Sequence, residues 1–186
     1  ALSQSGNTDA FIDSIKTDEA RYLHTSPEYP MKRLLAAGSG DIYQICKVWR
    51  ASESGKKHNP EFSLLEWYRV GVNHQELMQE VADLLDDLFE GSQIELEEAP
   101  LFITYQQAVI EHAGLDPFGA SDDEIKKLGV ELASADLGLS RDGWLDMIMS
   151  HRVEKLLPSN RLVFIYNYPA SQAALAKLNT DENGQL

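Results

Sequence analysis

The stretch from Ile42 to Tyr68 constrains this chain more than any other. Residues 42–50 mix β-branched, aromatic and polar side chains in near alternation, as a half-buried strand requires. Residues 51–57 (ASESGKK) are small or charged and include Gly55, the composition of a surface loop. Residues 61–69 return to strand composition. The pattern predicts two antiparallel strands presenting a charged loop. Arg50 sits at the start of the loop, and His58, Asn59 and Phe62 lie just beyond it. A guanidinium can grip a phosphate through two parallel N–H bonds, and a phenyl face can stack on a purine. A strand-end surface arginine, a loop histidine and a core phenylalanine remain the plain alternatives for these residues.

The rest of the chain reads as α+β, with strands toward both ends and helices between. Residues 11–17 and 20–25 read as short strands. Ser26-Pro27-Glu28 has the composition of a helix start, with Ser26 as N-cap and Pro27 in the first helical position. Gly38 is a fitting stop. Asn73 can cap a helix over about 74–90, whose Leu77, Val81, Leu84, Leu85 and Leu88 recur at helical spacing. Residues 92–103 look like a connector. Thr104 with Gln107, and Ser121 with Glu124, are capping-box pairs that open helices near 105–113 and 122–134. A further helix is expected over 141–156, a strand over 161–168, and a short helix over 170–177 capped by Ser171.

The 186 residues carry a net charge of −14. Residues 1–70 hold nine basic and nine acidic side chains, so the whole excess lies in residues 71–186. That distribution argues against a nucleic-acid partner and for a small anionic ligand handled in the first part. The apolar runs are too short to span a bilayer, and none reads as a secretory signal. The single cysteine, Cys46, has no partner for an internal disulfide; it reads as a buried thiol, and the expected compartment is the cytoplasm. No metal-ligand spacing, P-loop or serine–histidine–acid arrangement stands out.

The sequence also carries a resemblance. Arg50, the loop and His58-Asn59-Pro60-Glu61-Phe62 resemble motif 2 of class II aminoacyl-tRNA synthetases, in the lysyl branch. Thr25-Ser26-Pro27-Glu28-Tyr29 with Met31-Lys32-Arg33-Leu34-Leu35, then Leu65-Glu66-Trp67-Tyr68, then Tyr168 to Leu175, narrow it to the paralogues that ligate lysine to elongation factor P. The likeness is specific over 25–68, good over 166–176 and weak over 91–160. It implies an antiparallel sheet of the class II type, forming one partial catalytic domain over 1–186 with a helical insertion at about 91–160.

It further implies ATP-dependent activation of lysine or β-lysine as an aminoacyl-adenylate, followed by transfer to a lysine of elongation factor P. Arg50 would be the catalytic residue, gripping the α-phosphate. Ser52, Glu53, His58, Asn59 and Phe62 would complete the ATP site with it. Ser26, Pro27, Glu28 and Tyr68 would bind the amino-acid substrate, whereas Glu66 reads as structural. Magnesium is implied with ATP, its ligands lying outside this chain. The resemblance points away from tRNA and allows a homodimer, and the short apolar runs leave no membrane partner expected. The family carries Asn-Glu-Glu after the arginine; here Ala51-Ser52-Glu53 stands there, so the first acid is replaced by Ser52. Motifs 1 and 3 of the class II pattern are not found, so the chain reads as an internal portion, expected not to form adenylate alone. A lysyl-tRNA synthetase fragment and a non-catalytic binding module are the competing readings.

Overall fold

In the computed structural model, residues 2–6, 12–17, 21–52, 54–55, 58–94, 96, 98–174 and 176–180 are described. The chain forms two compact units, residues 1–77 and 78–186.

In the first unit, β1 (Leu2–Ser3) pairs antiparallel with β2 (Tyr22–Leu23). The expected strand over 11–17 is reduced, among its described residues, to bridges at Asp13 with Ala51 and Lys16 with Tyr22. Helix α1 (Glu28–Ala36) begins one residue later than the sequence suggested. Pro27, not Ser26, is the N-cap, and no side chain caps it in the usual way, though the Glu28 N–H donates to Ser26 Oγ at 3.0 Å. The helix ends as foreseen. Gly38, at φ +85°, donates to the Leu35 carbonyl, and Ser39 donates to that of Leu34. This paired closure needs a left-handed residue, which glycine adopts without steric cost.

Strands β3 (Ile42–Trp49) and β4 (Glu61–Tyr68) form the expected hairpin in antiparallel register from Ile42↔Tyr68 to Trp49↔Glu61. Because side chains alternate across a strand, the register sorts them into two faces. One carries Gln44, Cys46 and Val48 with Phe62, Leu64, Glu66 and Tyr68; the other carries Tyr43, Ile45, Leu65 and Trp67. Val48 is fully buried, whereas Tyr43 and Ile45 are well exposed. The sequence expectation of a buried thiol needs correction: Cys46 is only half-buried, though burial and then the Glu66 charge push its pKa up. Helix α2 (His74–Phe89) starts at a reciprocal cap. The Asn73 side chain accepts from the Gln75 and Glu76 N–H groups, and Glu76 accepts from the Asn73 N–H at 2.9 Å.

In the second unit, β5 (Leu101–Thr104) overlaps the end of the stretch read as a connector, and it pairs in parallel with β6 (Val163–Tyr166). Parallel strands need a long crossover. The helices between them supply it: α3 (Tyr105–Ala113), α4 (Asp122–Ala133), α5 (Arg141–Ile148), a π-helical turn at Met149–Val153, and α6 (Glu154–Leu156). Both capping boxes form as read, at Thr104/Gln107 and Ser121/Glu124. The core gathers Ile103, Tyr105, Val109, Ile125, Trp144, Leu145 and Ile148. Gly129 makes room for it, since a Cβ there would lie 2.3 Å from the Trp144 ring. The helix expected over 170–177 is a single 3-10 turn, Ala170–Gln172, and Leu175 lies outside the described residues. Ser171 does not cap it; its hydroxyl donates to Asp142 instead. The strand pairs described here are three separate two-stranded ones, within an α+β composition.

Candidate functional site

All described members of the sequence-derived site lie in the first unit, on or beside one face of the hairpin. The segment before α1 is pinned to the outer edge of β3. The Trp49 N–H donates to the His24 carbonyl at 3.0 Å, and His24 Nε2 lies 2.8 Å from the Lys47 carbonyl. This brings Thr25 and Ser26 up to the hairpin.

At the loop end, Arg50 extends the ladder by one step, its N–H donating to the Pro60 carbonyl at 3.0 Å. Its guanidinium lies over the Phe62 ring, 5.1 Å from the centroid, and its Nε–H donates to the Thr25 carbonyl at 3.4 Å. Ring and cation therefore form one unit, which an aromatic face stabilises electrostatically. A purine stacking on Phe62 would take the opposite ring face or displace the guanidinium. The loop beyond is exposed at Ser52, His58 and Asn59. Ser52 adopts φ +64°, a left-handed turn one residue after the Ala51–Asp13 bridge. Glu53, with Lys56 and Lys57, lies outside the described residues.

Four residues along β4 from Phe62, a second cluster centres on Glu66. The Ser26 hydroxyl donates to Glu66 Oε2 at 2.5 Å, and the Tyr68 hydroxyl donates to Oε1 at 2.7 Å. Each carboxylate oxygen thus accepts one short, charge-assisted bond, the strong kind. Burial, and then the bond to Glu66, push the Tyr68 pKa well up, so this phenol stays protonated and donating. Glu28 pairs with Lys32 across one helical turn at 2.6 Å, a partly exposed pair of small energetic weight. Pro27 is buried, so its part is to fix the backbone between Ser26 and Glu28.

The structure thus brings Arg50 to Phe62, and Ser26 to Tyr68, through a residue the sequence reading set aside. The signal for Glu66 was present: Phe62, Leu64, Glu66 and Tyr68 alternate along β4, which puts the acid on the ring's face. Thr25, nearly buried, was also missed as the carbonyl that orients Arg50. Among the described residues, no three histidine, cysteine or acidic side chains gather as a metal ion would require, and no helix is long and apolar enough to cross a membrane.

The hairpin thus carries an arginine–aromatic pair at its loop and a hydroxyl-bound carboxylate along the same face. Residues 2–185 match the family described as tRNA synthetases class II (D, K and N), and the chain belongs to that family. Its relatives include proteins named elongation factor P--(R)-beta-lysine ligase. That of Vibrio atlanticus (strain LGP32) is 40% identical over 195 residues, covering 98% of this chain and 58% of the relative. That of Edwardsiella ictaluri (strain 93-146) is 44% identical over 165 residues, covering 87% and 49%. That of Vibrio vulnificus (strain YJ016) is 41% identical over 194 residues, covering 98% and 58%. The chain spans about half the length of these curated relatives.

Proposed function

We propose that this chain carries part of the active site of an ATP-dependent ligase. The ligase activates lysine or β-lysine as an aminoacyl-adenylate and transfers the acyl group to a lysine of elongation factor P. The observation that carries the reading is the layout of one hairpin face. Arg50 and Phe62 offer a phosphate-gripping cation and a purine-sized ring. Glu66, oriented by Ser26 and Tyr68, offers a carboxylate to an ammonium group. Four residues of strand separate the two clusters by about 13 Å, comparable to an extended aminoacyl nucleotide. The names of relatives near 40% identity support the same reading.

In this reading Arg50 is the catalytic residue. It offsets the charge that develops on the α-phosphate as the substrate carboxylate attacks, and pyrophosphate leaves. Phe62 takes the adenine. His58 meets the outer phosphates, and Ser52, Glu53 and Asn59 complete the ATP site, with magnesium accompanying the ATP. Glu66 and Tyr68 hold the substrate amine, while Ser26, Pro27 and Glu28 shape the floor beside it. The sheet of which the hairpin is part is antiparallel, and residues of about 91–160 form a helical insertion. The lone half-buried cysteine and the translation-factor substrate suit the cytoplasm.

Two assays test this on the native polypeptide that carries the chain. Lysine- or β-lysine-dependent pyrophosphate exchange should be lost on Arg50→Ala, because removing one such group costs about 3–4 kcal/mol in the transition state. Labelled amino acid should then pass to elongation factor P and not to tRNA. Labelling of tRNA alone would favour a lysyl-tRNA synthetase.

A further inference from the structure

One polar cluster in the second unit plays no part in the reading above. Tyr105 opens α3 and is wholly buried, yet its hydroxyl has no hydrogen-bond partner. A buried hydroxyl left unmet is costly, which marks the spot as one that a further group completes. The Tyr105 ring packs against that of Tyr168, with centroids 4.8 Å apart and planes at 50°, and Tyr168 is 48% exposed.

Asp142 and Asp146 stand one turn apart on α5, and so on one face of it. They hold the turn that follows Tyr168. The Ser171 hydroxyl donates to Asp142 Oδ1 at 2.8 Å, and the Gln172 Nε2–H donates to Asp146 Oδ1 at 3.1 Å. Among the described residues, no lysine or arginine is paired with Asp142, Asp146 or the neighbouring Glu154. The Tyr105–Tyr168 ring contact and the two bonds from the turn after Tyr168 to α5 bring this phenol and the two aspartates into one neighbourhood, and burial, then Asp146, Tyr168 and Asp142, push the Tyr105 pKa up. Tyr168 in turn feels burial, Glu154 and Asp146. The cluster is therefore anionic and aromatic, with one buried hydroxyl unmet and no basic side chain paired with its acids among the described residues.

We propose that Tyr105, Tyr168, Asp142 and Asp146 form a binding site for a primary alkylammonium group. Such a group has three N–H donors. The two carboxylates and the Tyr105 oxygen accept them, while the Tyr168 ring offers its face to the charge. The bonds to Ser171 and Gln172 persist, since a carboxylate has several acceptor positions. A water molecule would satisfy the phenol but not neutralise the acids. The ammonium can come from a free amine or from a lysine side chain on a docked protein. Asp142, Asp146 and Glu154 would repel the α-carboxylate of a free amino acid, so the sources are separable. The inference does not depend on the reading of the hairpin.

The test follows the tyrosine side-chain NMR signals while n-butylammonium, Nα-acetyl-lysine amide or free lysine is added. Saturable shifts of Tyr105 and Tyr168 with the first two are expected. Weaker binding of free lysine would assign the site to a protein side chain, and equal binding to a free amine. Asp142→Asn/Asp146→Asn keeps both Oδ1 acceptors and should weaken binding by about tenfold or more. Tyr105→Phe removes only the hydroxyl, should also weaken binding, and decides the matter if the double variant does not fold. Absence of saturable shifts, or unchanged affinity in the variants, would overturn the proposal and leave an ordered water as the partner of Tyr105.

Discussion

Replacing Glu66 by Gln separates the two things this carboxylate can do. The side chains are the same size, and Glu66 is half-buried where it accepts one hydroxyl at 2.5 Å and another at 2.7 Å. In the amide, the remaining oxygen can accept from Ser26, whose Oγ is already committed to the Glu28 N–H. The amide nitrogen can donate to the Tyr68 oxygen, which reverses that bond. Both contacts survive, but neither is charge-assisted. Bonds to charged acceptors contribute about 1.5–3 kcal/mol against about 0.5–1.5 for neutral ones, so weakening two of them should cost the first unit about 2–3 kcal/mol in all. The effect on a bound ammonium is of another kind. Its charged acceptor disappears, which removes about 1.5–3 kcal/mol from the aminoacyl end alone. That is roughly a ten- to hundredfold loss of affinity. Calorimetric titration with a lysyl-sulfamoyl-adenosine analogue should show it, while ATP titrated alone should bind as to the unaltered protein. If the variant melts earlier yet binds the analogue with unchanged affinity, Glu66 is structural and the reasoning fails.

Three other outcomes are expected. Phe62→Leu removes the ring that carries Arg50 and should lower ATP affinity by about tenfold or less, with little change in melting temperature; a large thermal loss with intact ATP binding would make Phe62 a core residue. Gly129→Ala gains about 1 kcal/mol of helix propensity, but its Cβ meets the Trp144 ring at 2.3 Å, and overpacking costs about 1–3 kcal/mol. Since Trp144 is nearly wholly buried, net destabilisation is expected by denaturant titration, and a stabilised variant would contradict the packing described. Partial burial, with Asp142 adding to it, holds the Asp146 carboxyl above its usual range, despite the Gln172 bond. A raised carboxyl favours the folded state when protonated, and that contribution is lost as pH rises through its folded-state pKa. Asp146→Asn should therefore melt higher than the unaltered protein at neutral pH, with the gap closing as pH falls below the ordinary carboxylate range.

The elements that were legible in the sequence are those whose signals are local. The hairpin was written in alternation and in the small, charged loop, and both capping boxes in four-residue patterns that bond within themselves. What escaped depended on distant partners. Leu101–Thr104 is too short to declare itself a strand until β6, some sixty residues on, pairs with it. Ser171 looked like a cap because it follows a proline, yet its hydroxyl is claimed by Asp142 on another helix. Glu66 read as structural, since nothing local marks its partners. Only the register and the reach of Ser26, forty residues earlier in the chain, show both of its oxygens in use.

The central claim is that one face of the β3–β4 hairpin holds nucleotide and amine together. It is tested most directly by mapping the lysyl-sulfamoyl-adenosine analogue onto the chain by NMR shift perturbation. Shifts should fall on Arg50, Phe62, Leu64, Glu66 and Tyr68, with Ser26 moving alongside. Perturbation confined to Tyr43, Ile45, Leu65 and Trp67, on the opposite face, would contradict it.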